Sequence, residues 1–78
     1  MPRLPRVSGK DTVRALQRAG FSVFDQTGSH VYLHRFEGER FGPRTTVPVH
    51  GHKTLAPKTL KSILAAAGLT VEEFIGFL

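Results

Sequence analysis

Seventy-eight residues leave room for one domain with a thin core, because a chain this short buries only about 60% of the surface it exposes when unfolded. There is no cysteine, which excludes disulfide staples and thiolate metal sites, fits a reducing compartment and leaves a partner chain as the remaining support. The net charge is +5, and no apolar run approaches the roughly 20 residues that span a bilayer, so the sequence predicts a basic cytoplasmic protein rather than a membrane one.

The stretch Met1-Pro2-Arg3-Leu4-Pro5-Arg6 has basic residues but no apolar segment behind them, so no signal peptide is expected. Residues 1–7 read as a loose lead-in to a single domain that takes in the whole of 1–78. Ser8 is a helix N-cap with Asp11 at the capping-box position. Val13, Leu16 and Ala19 follow at helical spacing and Gly20 supplies a left-handed stop, predicting a helix over Gly9–Ala19 with Arg14 and Arg18 on its exposed side.

Phe21–Gln26 reads as a strand, and Thr27-Gly28 turns the chain. Ser29–Phe36 alternates, so Val31 and Leu33 share the face toward the helices while His30, Tyr32 and His34 share the open one. A polar loop with Gly38, Gly42 and Pro43 is expected next. Thr45–His50 then forms a third strand with Val47 and Val49 inward; Pro48, lacking an N–H, marks it as an edge strand or a bulge.

Pro57 opens a second helix, with Leu60, Ile63, Leu64 and Ala67 as its buried stripe. Gly68 ends it, and Leu69 can fold back on Leu64 in a Schellman motif. Thr70 and Glu73 form a capping box for a short third helix, with Leu69 and Phe74 at the staple positions. The order α-β-β-β-α-α predicts an α+β fold: a three-stranded antiparallel sheet with helices on one face.

From Arg40 to Val71 the chain carries Arg40, Arg44, Lys53, Lys58 and Lys61, with His50 and His52, and no carboxylate. A stretch of one sign attracts polyanions, although it also serves solubility alone. Among the histidines, a zinc site is a poor reading. His30 and His34 stand roughly 13 Å apart along one strand, and His50 and His52 have no carboxylate near them in sequence.

General acid–base work by histidine is the other reading. Imidazole exchanges protons near neutrality, and RNA brings its own nucleophile in the 2′-OH. His30 starts a strand just past a turn, on the open face, within reach of a bulky substrate. Beside these readings stand plainer ones: Gly28 as a turn glycine, Ser29 as a polar strand start, and Lys53, Lys58 and Lys61 as solvated side chains. Tyr32 is placed to stack on a base, the lysines lie near the positive N-terminal end of the second helix, and the phenylalanines read as core or cap residues.

Ser8-Gly9-Lys10, Ala19-Gly20-Phe21, Gly28-Ser29-His30, Val47-Pro48-Val49-His50, Leu60-Lys61-Ser62-Ile63-Leu64, Gly68-Leu69 and Glu72-Glu73-Phe74 together resemble the HicA, or YcfA-like, toxins from about Ser8 to Phe74. The resemblance implies a fold like a double-stranded-RNA-binding domain and a metal-independent endoribonuclease (an mRNA interferase) that needs no cofactor. It also implies a HicB-type antitoxin that covers the active surface. His30, in the Gly-Ser-His motif, corresponds to the catalytic histidine; from their placement in the chain, Gly28, Ser29, Tyr32, Lys53, Lys58 and Lys61 are the expected RNA contacts beside it. Lys58 stands where many members have glycine, and the Glu37–Pro43 loop is long. The same architecture also suits a non-catalytic double-stranded-RNA-binding module, or a domain that binds only an acidic protein partner.

Overall fold

A computed structural model describes residues 3–78; the first residues of the expected lead-in, Met1 and Pro2, lie outside it. The order is α1 (Gly9–Arg18), β1 (Ser22–Thr27), β2 (His30–Glu37), β3 (Arg40–Pro48), α2 (Pro57–Ala67) and α3 (Val71–Gly76). The strands form one antiparallel sheet in the order β1-β2-β3, with helices packed against it. This is the α+β arrangement of a double-stranded-RNA-binding domain. No helix among the described residues is long and apolar enough to cross a membrane.

Local chemistry sets the helix ends. The Ser8 hydroxyl accepts the Asp11 N–H at 3.1 Å, and Gly20, at φ 98°, turns the chain out of α1. At the end of α2 the N–H of Leu69 donates to Leu64 O at 3.0 Å and that of Gly68 to Ala65 O at 3.2 Å, with Gly68 at φ 71°. That pair of bonds is the Schellman motif. Thr70 and Glu73 complete a reciprocal capping box on α3 at 2.9 and 3.1 Å.

The core has two connected parts. Leu16, Phe21, Val31, Leu33, Val47, Ile63 and Ala67 lie between sheet and helices, while Ala15, Leu60, Leu64 and Phe74 join the three helices to one another. The buried Thr45 hydroxyl donates to Ile63 O at 3.0 Å and fastens α2 to β3. The lead-in is docked rather than loose over its described part. Leu4 and Val7 pack on the second cluster, and Leu55 N–H donates to Val7 O at 2.8 Å.

Both hairpins turn in two residues. Gly28-Ser29 joins β1 to β2, and Gly38-Glu39 joins β2 to β3. Gly28 (φ 58°) and Gly38 (φ 66°) have the sign that a first-position glycine takes in a type II′ turn. The segment Glu37–Pro43 is therefore not a loop: Phe36 pairs with Phe41 and Glu37 with Arg40, so β3 begins at Arg40 rather than Thr45 and ends at Pro48.

Each pairing contains a bulge. Phe24 is the extra residue of β1, between the Val23–Leu33 and Asp25–Tyr32 pairs. On β3, Gly42-Pro43 lies opposite Arg35. A β-carbon on Gly42 would come within 2.6 Å of Arg35 O, so glycine here serves a close backbone approach rather than a loop. Pro48 lies on an edge strand, as its missing N–H predicts. Val49 N–H donates to Ser29 O at 2.7 Å; by the alternation of antiparallel bonds, Pro48 then turns its nitrogen outward, away from β2.

Candidate nucleic-acid interface

His30 is the first residue of β2 and is exposed on the face away from the helices. Its cross-strand neighbours are Thr27 and Pro48, and Tyr32 follows on the same face. The turn that presents it is held twice: Val49 N–H bonds Ser29 O at 2.7 Å, and the Gln26 side-chain amide donates to Gly28 O at 3.3 Å. Gly28 has open space where a β-carbon would stand. The imidazole thus projects from a fixed backbone into solvent, where a phosphodiester has room to approach.

The chain leaving β3 returns to this end of the sheet. His50, Gly51, His52 and Lys53 form an exposed turn closed by Lys53 N–H to His50 O at 3.0 Å. Because Val49 is bonded to Ser29, this turn begins beside the Gly28-Ser29 hairpin. Lys53 therefore comes to the His30 end of the molecule. Lys58 and Lys61 do not share the face of His30: both are exposed on α2, whose buried stripe packs on the opposite side of the sheet. The expected site is thus split between two layers, with His30 and Tyr32 on the open face and Lys58 and Lys61 on the helix layer.

On the helix side of the same hairpin lies a groove of about 510 Å³, lined by Lys10, Arg14, Gln17, Gln26, Val49 and His52 among others. Lys10, Arg14 and Gln17 are spaced i, i+4, i+7 on α1, a pattern visible in the sequence once α1 is assigned. Arg14 and Arg18, which helical spacing places one turn apart on the exposed side, are both exposed and together border a second hollow. Arg18 is turned to another task, donating to Phe77 O at 2.8 Å and tying the end of α3 to α1.

The phenylalanines also divide. Phe21 and Phe74 are core, as expected, but Phe24 (45% exposed), Phe36 (53%) and Phe41 (72%) are not. They meet on the open face around His34, with ring centroids 4.8 Å (Phe24), 4.8 Å (Phe36) and 5.3 Å (Phe41) from its imidazole. The Nδ1 of His34 is shut from solvent without a hydrogen-bond partner, so on the open face His34 packs as an aromatic plate. The bulge at Phe24 brings that side chain into the group, a displacement that strict alternation does not anticipate.

The Thr70 N–H, then the Thr70 hydroxyl, hold the Glu73 carboxyl below the ordinary value of 4.5, and the charge of Arg35 adds to this. Glu73 stabilises α3 and takes no part in the site. Among the described residues, no cluster of three or more His, Asp or Glu side chains is arranged to hold a metal ion.

The family model of the HicA toxin of bacterial toxin–antitoxin systems matches residues 9–69, from the first residue of α1 through the Schellman turn after α2. No curated protein matches the chain at a significant level. With the match covering every element but α3, the chain belongs to the HicA toxin family.

Proposed function

We propose that the chain is an endoribonuclease toxin in which His30 acts as general base or acid on the RNA 2′-OH and phosphate. One observation carries the reading. His30, in the Gly28-Ser29-His30 motif, is the exposed first residue of β2, just past a turn pinned by Val49 and Gln26. Lys53 holds the backbone at the same end, Ser29 and the open Gly28 let the phosphate approach, and Tyr32 stacks on a neighbouring base. Lys58 and Lys61 hold RNA that passes round to the helix layer. A HicB-type antitoxin silences the toxin by covering the open face, with carboxylates against its cations.

The chemistry needs no metal in this reading: the substrate supplies the nucleophile, and histidine with lysine supplies proton transfer and charge. The test is cleavage of labelled single-stranded RNA by the purified chain, with and without EDTA, beside His30→Ala. Cleavage should survive EDTA and fall by roughly 10²–10⁴-fold in the variant, the usual contribution of a positioned acid or base. A variant that cuts as well as the parent sinks the reading.

The groove of Lys10, Arg14, Gln17 and Gln26 supports a second reading, a double-stranded-RNA-binding module without catalysis. In that case duplex binding would be indifferent to His30→Ala and weakened by Lys10→Ala.

A further inference from the structure

The open face carries a feature that cleavage by His30 does not require. Phe24, His34, Phe36 and Phe41 pack ring to ring at the end of the sheet away from His30. The Phe36 and Phe41 centroids are 5.0 Å apart, and Phe24 reaches back to Tyr32 at 6.3 Å. Phe24, His34, Phe41 and Arg44 border a cleft of about 450 Å³, within the size range of small-ligand sites. The rings are more than half exposed at Phe36 and Phe41, an uncommon cost for a small protein unless something covers them.

We infer that this cluster is a stacking platform for unpaired bases of the RNA substrate, with Arg44 as its phosphate partner. The inference rests on the proposed ribonuclease reading and gives it a substrate class: single-stranded RNA lying along the sheet.

Three observations favour bases over a protein segment. The bordering side chains are aromatic or cationic, with no aliphatic member, and every base offers a π-face to an aromatic ring. The Arg44 guanidinium stands 4.9 Å from the Phe24 ring centroid, pairing a flat cation with a ring on the side where a sugar–phosphate chain would pass. Arg44 also lies on the chain's carboxylate-free stretch, complementary to a polyanion. Finally, His30, Tyr32, His34 and Phe36 form one row on β2, each about 6.8 Å from the next. An extended strand with its scissile phosphate at His30 runs along that row to bring bases a few nucleotides away onto the rings. Exposed aromatics on an open sheet are also how RNA-recognition sheets hold two or three bases.

Binding is measured with an all-2′-O-methyl oligonucleotide, which the enzyme cannot cut, and with an abasic strand of the same length and charge. Tyr32 is the reporter, since the chain has one tyrosine and no tryptophan. The base-bearing strand should bind tighter than the abasic one by roughly tenfold or more for each base stacked. Phe41→Ala and Phe36→Ala should erase most of that difference, Phe41→Trp should keep it, and affinity for the abasic strand should stay as in the parent. Equal affinity for the two strands in the parent overturns the platform. So does Phe41→Ala binding bases as the parent does, and so does a Phe41→Ala that keeps its RNA affinity and loses only its antitoxin. Because the readout is binding to an uncleavable strand, failure of the platform and failure of His30 catalysis are seen in separate experiments.

Discussion

The Cα of Gly9 lies against the carbonyl oxygen of Pro48, so near that a β-carbon on residue 9 would overlap it, and Pro48 is the residue paired with His30. The start of α1 therefore rests on the strand that supports the candidate catalytic side chain. Gly9→Ala must push α1 or β3 aside, an overpacking cost of about 1–3 kcal/mol. For a domain of this size each kcal/mol lowers Tm by about 4–8 °C, which thermal unfolding reads directly. Cleavage should drop as well, at temperatures where the variant is still folded, because β3 carries the partner of His30. An unchanged Tm would mean that the helix start is not seated on Pro48.

Gly28 separates stability from activity in the opposite way. Nothing lies within 4 Å of where its β-carbon would be, but its φ of 58° is one that L-residues avoid at about 1–2 kcal/mol. Gly28→Ala should fold with a modestly lower Tm and relax the turn that aims His30. The expected outcome is a loss of cleavage larger than the loss of stability explains. The comparison is kcat at 20 °C below each protein's own Tm.

The two cationic groups should respond differently to salt. Each phosphate neutralised on a single strand adds about −0.7 to the slope of log affinity against log salt. Lys10→Ala with Arg14→Ala removes cations from the groove beside the Gly28-Ser29 hairpin, and should flatten the slope by about 1.4. Lys58→Ala with Lys61→Ala removes them from α2, in the same helix layer but outside that groove, and should change it less. The reverse ranking would route RNA along α2.

Acid should loosen the C-terminal helix through Glu73. Its folded-state pKa lies below the ordinary 4.5, so the folded chain favours the carboxylate form more than the unfolded chain does. That stabilisation is complete above the unfolded value and disappears as pH falls through the lowered folded value. Glu73→Gln should be less stable than the parent near neutrality, and the two should converge in acid. Thermal unfolding between pH 7 and pH 3 follows it, and a gap that widens in acid contradicts the capping-box account.

Much of this was legible in the sequence where the cause is local. Ser8, Gly20, Gly68 and the Thr70–Glu73 box fixed the helix ends to within a residue or so, because a cap is made by neighbours along the chain. His30 was placed on the open face by alternation alone. Alternation failed where the chain bulges. Gly42 and Pro43 read as loop residues, yet the pairing of Phe36 with Phe41 carries β3 back to Arg40 and uses both at a bulge. The same irregularity hides the aromatic cluster: Phe24 joins it only as an inserted residue, and three phenylalanines whose type points to core or cap lie exposed instead. The groove was missed because it is built from α1, β1 and the turn after β3, and that juxtaposition exists only once the fold is closed.

The outward nitrogen of Pro48 has a bearing on how the chain behaves in company. A free sheet edge invites another strand to add to it, the first step of swapped dimers and fibrils. Along β3 that edge is interrupted at Pro48, which has no proton to offer, and distorted again at the Gly42-Pro43 bulge. Along β1 the inserted Phe24 breaks the ladder in the same manner. Neither rim presents a long regular row of donors and acceptors. Addition of a further strand at either rim is therefore disfavoured, and free copies of the chain are guarded against zipping up with one another.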